Sequence, residues 1–537
     1  MTPSAKELVC DYLIVGAGAA SMAFIDTLLT ELPDTKIILI DRKPSVGGHW
    51  VDSYGFVQLH QPSLLYGVAS KQLEGNWAKL MMTKFMLPWS HRASKNEILA
   101  YFDQFVQEKE DAGQLEFYSN CEYLYDNNQA NNNGMYSFSS TDGKQIYNVQ
   151  VNEKLVDGTA GECIIPSLSP LSFPVDDSVR VMTPNQIYDT IINKKQRSEL
   201  VKTTKQYVVL GAGKTAMDTV VYLQRVARIK PDNISWVIPN DVWMLNRDGG
   251  GNPWVWPKAL LERNLDVDQA ALELEKKGVF YRLDPNVMPS KFRFPVVDAG
   301  ELKLMRNVKN IVRRGRAAGI RVTDESNDKK ILVEFGDDKP AWEVPTDTVF
   351  IHCTSPGPFN NKEHDTIFDT ENQLTLNLLV APPISMSLSN IAKIEAARRN
   401  GTLDLDFGRQ LLASLEPDSG KKNQQECNLA DKYSENDVLQ VLIRAFALSG
   451  KDSQEPSELR PIVTLATFFA ILDVDPTEAY DWQKGNRLQF LSIPGFKVKI
   501  FENINAIATK GKELGYSDER VRMFHMLADK LKPLEGM

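Results

Sequence analysis

The stretch that most constrains what this chain can fold into is Asp11 to Trp50. It opens Asp11-Tyr12-Leu13-Ile14-Val15, turns through Gly16-Ala17-Gly18-Ala19-Ala20-Ser21, and continues in a helical pattern to about Glu31. A second apolar run, Lys36 to Ile40, ends at Asp41. Strand, glycine turn, helix, strand and terminal acid in that order describe a dinucleotide-binding βαβ unit. Gly16 permits the tight turn, and Gly18 lets the backbone approach a pyrophosphate. The helix that follows presents backbone N–H groups and the positive end of its dipole to that anion. Asp41 stands where a carboxylate accepts ribose hydroxyls, and Ser21 replaces the third glycine with a residue still small enough for close packing. Gly47-Gly48-His49-Trp50 follow at once and extend the candidate cofactor site.

A second copy begins at Gln206 to Leu210. It runs through Gly211-Ala212-Gly213-Lys214-Thr215-Ala216-Met217-Asp218 into a helix to about Arg228, then a strand from Asn233 to Ile238. The repeat says more than either copy: two such units most simply hold two nucleotides, and two nucleotides in one chain suggest electron transfer between them. The first unit, with its acid, suits FAD. The second strand of the other unit ends at Ile238-Pro239-Asn240 with no acid at its tip, while Lys214, Arg225, Arg228 and Arg247 are nearby in sequence. A missing acid with cations at hand favours a 2′-phosphate, hence NADPH over NADH, with Lys214, Thr215 and Arg247 as candidate contacts.

With 537 residues the chain exceeds a single core, and two or three domains are expected. The expected division is an FAD-binding domain at 1–200, completed by about 345–400, an NAD(P)-binding domain inserted at 201–345, and a mainly helical C-terminal region at 401–537. The fold class is α/β, with two Rossmann-like domains. A net charge of −9 argues against a nucleic-acid partner. Five widely spaced cysteines with no Cys-x-x-Cys exclude the usual zinc frameworks and a redox-active pair, and suggest a reducing compartment. The opening residues form no charged-then-apolar leader, and no apolar run of membrane-spanning length occurs. A cytoplasmic protein is expected, and the sequence leaves a homo-oligomer open.

Local patterns place further elements. Ser94 is an N-cap for a helix from Lys95 to Glu110, Asn-rich Asp126 to Gly134 is a hairpin tip, and helices are expected at Pro184 to Ile192, Asp437 to Ala447, Pro461 to Leu472 and Asp518 to Leu531. Asp248-Gly249-Gly250-Gly251 is flanked by Trp243, Trp254 and Trp256. A glycine hinge with flat aromatics suggests a cover over a flat ligand, with Trp254 as its working residue; a hydrophobic plug is the alternative.

On these pieces the chain resembles the class B flavoprotein monooxygenase superfamily: flavin-containing monooxygenases, Baeyer–Villiger enzymes and N-hydroxylases. The matching segments are Gly16-Ala17-Gly18, Gly47-Gly48-His49-Trp50 and Gly211 to Asp218, together with the strand ends Asp157-Gly158-Thr159 and Cys353-Thr354-Ser355-Pro356-Gly357. The resemblance covers about residues 10 to 400. It implies FAD reduced by NADPH, reaction with molecular oxygen to a hydroperoxyflavin, and oxidation of a small organic substrate. The Phe-x-Gly-x-x-x-His signature of oxygenating members is missing between the two glycine motifs. The flavin-side Asn of the flavin-containing monooxygenases falls near His60-Gln61-Pro62, where this chain offers Gln61. A flavin oxidoreductase without oxygen insertion and a non-catalytic nucleotide-binding scaffold are the other readings.

Overall fold

The computed structural model describes residues 5–63, 66–73, 92–125, 134–161, 163–248, 262–263, 266–293, 295–323, 329–336, 339–355, 367–377, 384–414, 500–513 and 516–534, with isolated positions at 259, 434, 438–439, 470, 472, 478 and 482. Two mainly parallel sheets organise it. The first runs Phe368–Thr370, Gln373–Thr375, Ile146–Asp157, Lys6–Val15, Ile37–Asp41, Leu115–Ser119, with Cys121–Tyr123 and Met135–Ser140 as an antiparallel attachment. Tyr12 to Val15 pair in register with Ile37 to Ile40 on one side, and Val15 pairs with Asp157 on the other. Apolar residues on both faces of Ile37–Asp41 are buried, as a parallel strand covered on each side requires.

The helix Ala19–Glu31 covers one face of this sheet and packs along Ile384–Asn400, where the Thr27 and Ser389 hydroxyls meet at 2.7 Å. The same long helix is tied to the sheet from below. Tyr12 donates to Glu395 at 2.9 Å, and Lys154 forms a buried ion pair with Glu395 at 3.4 Å. The C-terminal region is helical where described, at Ile500–Lys510 and Asp518–Lys530. It shares a core with the first unit: a single apolar cluster runs from Met22 and Phe24 through Ile391 to Ile504, Phe524 and Leu527. Most of the expected helices at Asp437 to Ala447 and Pro461 to Leu472, and nearly all of the hairpin tip at Asp126 to Gly134, lie outside the described residues.

The second sheet is parallel throughout, in the order Asn310–Val312, Ile234–Val237, Gln206–Leu210, Thr348–His352, Arg180–Met182. It therefore reaches beyond 201–345 at both ends. The strand Thr348–His352 lies against Gln206–Leu210 instead of returning to the first sheet, and the first sheet is rejoined only at Phe368. Within the second unit, Ala299–Asn307 packs on Lys214–Arg225. Its start carries a capping box made by Asp298 and Glu301, a pattern also formed by Ser94 with Glu97 and by Thr183 with Gln186.

Candidate functional site

Each sheet delivers its glycine turn to the carboxyl end of its strands, where α/β folds bind ligands. In the first unit the Ser21 hydroxyl donates to the Gly16 carbonyl at 2.5 Å, and a Cβ at Gly158 would collide with that hydroxyl. Gly158 is thus fixed as glycine by Ser21 together with the Val15 carbonyl, which would lie 2.8 Å from that Cβ. Gly47 donates its N–H to Ala17 at 2.8 Å. Gly48 has φ +56, and a Cβ there would lie 2.9 Å from the Gly18 Cα, so the two glycine motifs pack backbone against backbone. Asp41 turns its carboxylate back on this turn: Oδ2 accepts from Ala17 N–H at 2.7 Å and Oδ1 from Lys43 N–H at 2.8 Å.

Trp50 is buried, and its indole N–H donates to the Tyr66 hydroxyl at 2.7 Å. His49 beside it is held neutral. Burial, then the charge of Lys43, push its pKa down to about 4.

The second turn is built alike. Gly211 has φ +120, its carbonyl accepts from the Trp236 indole at 2.7 Å, and a Cβ there would stand 2.8 Å from the Cys353 carbonyl oxygen. Gly18 and Gly213 each occupy the N-cap of the following helix in extended conformation, with no side-chain cap. A Cβ at Gly213 would meet no described atom within 4 Å, and one at Gly18 would meet only the Gly48 Cα, at 3.8 Å. The start at Gly213 thus faces open space among the described residues and that at Gly18 lies at contact distance from Gly48, and both present orphan amides, the arrangement that receives a pyrophosphate.

Lys214 and Arg247 each have carboxylate partners within the protein. Lys214 pairs with Asp218, whose other oxygen accepts from the Tyr54 hydroxyl at 2.9 Å. Arg247, expected at a 2′-phosphate, is instead buried. Its Nη1 meets Asp298 at 2.7 Å, its Nη2 meets Glu301 at 2.9 Å and the Val296 carbonyl at 3.0 Å, and its Nε donates to the His60 carbonyl at 2.8 Å. Arg92 holds the second oxygen of Glu301 at 2.9 Å. The capping-box carboxylates thus double as the partners of a guanidinium, and the cluster spans the seam between the units. His60 and Arg92 come from the first unit, and Arg247, Asp298 and Glu301 from the second.

Electrostatics follow from this packing. Burial would raise the Glu301 carboxyl, but Lys214, Arg247 and Arg92 hold it down to about 2. Loss of solvent and the charges of Lys214 and Arg247 keep the His60 imidazole neutral, well below its ordinary pKa.

Gln61, half-buried, follows His60 directly, so the grip of Arg247 on the His60 carbonyl also places Gln61. Trp254 and Thr215 have different outcomes. Thr215 sits in the first turn of Lys214–Arg225, whereas Trp254, Trp256 and Gly249 to Gly251 lie outside the described residues. Trp243 is no part of a mobile cover: it is fully buried, stacked 6.3 Å from Phe292. Trp243 belongs to a local core cluster with Leu245, Ala271, Leu274 and Phe280. Sequence reasoning missed Tyr54, Asp298 and Glu301. Only the last two left a trace, in the capping-box spacing Asp298-Ala299-Gly300-Glu301.

No helix among the described residues is long and apolar enough to cross a membrane. No family model matches the chain. Among solved structures it aligns with ornithine N-hydroxylase of Kutzneria sp. 744 (TM-score 0.46, 12% identity, 73% of this chain and 100% of that one). It also aligns with cyclohexanone monooxygenase bound to cyclohexanone (0.43, 13%, 74% and 88%) and with the bacillithiol disulfide reductase of Staphylococcus aureus (0.42, 12%, 73% and 99%). In sequence it is 33% identical over 404 residues to Uncharacterized protein Rv2000 of Mycobacterium tuberculosis, covering 73% of this chain and 68% of that protein. Uncharacterized protein Mb2023 of Mycobacterium bovis matches to the same extent, and the chain belongs to the family of these mycobacterial proteins.

Proposed function

We propose that this chain is an FAD-dependent, NADPH-using monooxygenase acting on a small organic substrate. The observation that carries the reading is the pairing of two glycine turns, each opening a helix with no side-chain cap, on two mainly parallel sheets joined by a buried ionic seam. The first unit, built on the sheet that includes Lys6–Val15, Ile37–Asp41 and Ile146–Asp157 and is rejoined at Phe368, is assigned FAD, with its pyrophosphate at Gly16 and Gly18 and its ribose near Asp41. Asp41 keeps lone pairs for ribose hydroxyls beyond the two amide bonds it accepts. Gly47, Gly48, His49 and Trp50 wall the same site. The second unit is assigned the nicotinamide nucleotide at Gly211, Gly213 and Thr215.

Bound FAD supplies the electron carrier and the oxygen chemistry; the chain supplies binding, orientation and exclusion of water. Neutral His49 and the apolar body of Trp50 make that site poor in mobile protons. Gln61 is assigned an amide contact to the flavin, its backbone steadied through His60 by Arg247.

Stopped-flow spectroscopy tests the proposal. FAD-loaded protein should be bleached by NADPH without oxygen, and aeration should then produce a transient absorbance distinct from oxidised and reduced flavin. Direct return to oxidised flavin would replace oxygen insertion with simple electron transfer. Absence of bleaching would leave a nucleotide-binding scaffold.

A further inference from the structure

The second unit has a small surface depression of about 10 Å³. Its wall runs from Ala212 in the glycine turn through Met217, Trp236 and Ile238 to Asn240 and Asp241. In a dinucleotide-binding unit, the region beyond the tip of the second strand meets the adenosine ribose, the one position where NADPH and NADH differ. An acid does reach this corner, four residues past Val237, the end of the strand, where none was expected. Asp241 is 9% exposed.

Asp241 has a fixed partner. The strand Asn310–Val312 lies parallel to Ile234–Val237, so Arg313 leaves the neighbouring strand at the same end. Its guanidinium forks onto the Asp241 carboxylate, Nε to Oδ2 at 2.8 Å and Nη2 to Oδ1 at 3.1 Å. The Asp284 carboxylate stands further off, 3.8 Å from Nη2. The Arg313 side chain is 29% exposed, whereas that of Asp241 is 7% exposed, so the guanidinium is the more open member of the pair. Lys214 and Arg247 are bound to Asp218, Asp298 and Glu301.

Building on the assignment of a nicotinamide dinucleotide to the second unit, we infer that the Asp241–Arg313 ion pair sets which of the two dinucleotides that unit accepts. A carboxylate at the ribose accepts hydrogen bonds from its hydroxyls and repels a phosphate placed there. A guanidinium attracts that phosphate, with a planar fork that fits its oxygens. The pair holds both chemistries, each muting the other, and removing one member exposes the other.

Calorimetric titration of the flavin-loaded protein with NADP⁺ and with NAD⁺ tests this. The readout is the ratio of the two dissociation constants, because a general loosening of the site weakens both nucleotides alike. Asp241→Asn should shift the ratio toward NADP⁺ by about tenfold, the lower bound for one charged hydrogen-bond partner, and Arg313→Gln should shift it toward NAD⁺ by about as much. Should Arg313→Gln fail to fold, Arg313→Lys, which keeps the charge and loses the fork, is expected to move the ratio the same way by less. Ratios that stay constant, or move in the same direction in both variants, overturn the inference while leaving the nucleotide assignment standing. A wild-type protein that binds neither nucleotide overturns the assignment and the inference together.

Discussion

Arg247 and Glu301 meet at 2.9 Å with side chains only 2% and 3% exposed, one of them taken in sequence for a phosphate contact and the other unmarked. Charges so far from water are retained only when matched, and here Arg247 is matched twice, by Glu301 and by Asp298. Removing one partner strands the other. Arg247→Ala should therefore lower stability by about 3–5 kcal/mol in denaturant unfolding. It should leave the NADP⁺ to NAD⁺ binding ratio unchanged. A changed ratio with full stability would return Arg247 to the nucleotide site.

Gly18 offers a cleaner test of the first site than its neighbours. A Cβ there fits the protein, 3.8 Å from the nearest described atom, and its φ of −87° suits any residue. Gly18→Val should fold with nearly wild-type melting temperature and lose its flavin, because the side chain occupies the space a pyrophosphate needs. Flavin absorbance per protein after purification measures it, and full flavin content in the folded variant would remove the assignment. Gly48→Ala differs: φ +56 and the contact with Gly18 make it lose stability as well.

Histidine burial gives a pH dependence. His49 has a folded pKa of about 4 against an ordinary 6.5, so below pH 6.5 the unfolded chain takes up a proton that the folded chain refuses. Stability is fully present above 6.5 and declines as pH falls toward 4. His60, displaced in the same direction, adds to the decline. Glu301 contributes in a lower window, between its ordinary 4.5 and about 2. Melting temperature should drop between pH 6.5 and 4, and His49→Asn should flatten part of the slope. An unchanged slope would mean that His49 titrates normally in the folded protein.

Trp243 is fully buried between Phe280 and Phe292. Trp243→Ala should cost about 3–5 kcal/mol. In the surviving folded fraction, peroxide release per NADPH consumed should match wild type. Selective peroxide release without loss of stability would make Trp243 a solvent barrier after all.

What was legible in the sequence is what local chemistry dictates. The Asp11–Val15 part of Lys6–Val15 and the strand Gln206–Leu210 are readable from apolar runs ending in glycine turns, Ile37–Asp41 from an apolar run ending in an acid, and the helix Lys95–Asp111 from Ser94 and its spacing. What could not be read was pairing across sequence. Arg247 finds His60 across 187 positions and Glu301 across 54, and nothing local marks an arginine as destined for burial. Asp241 was overlooked because the strand tip was judged at Asn240, and only the parallel pairing of Asn310–Val312 with Ile234–Val237 brings Arg313 to it. Trp243, Trp254 and Trp256 share a composition signal, yet burial assigns Trp243 to the core.

The proposed function requires one chain to hold a flavin and a nicotinamide nucleotide and to pass a hydride between them. Anaerobic mixing of FAD-loaded protein with NADPH measures this directly through the absorbance of oxidised flavin. Complete loss of that absorbance is expected, with one equivalent of NADPH consumed per flavin. Flavin that stays oxidised while NADPH is shown to bind would contradict it.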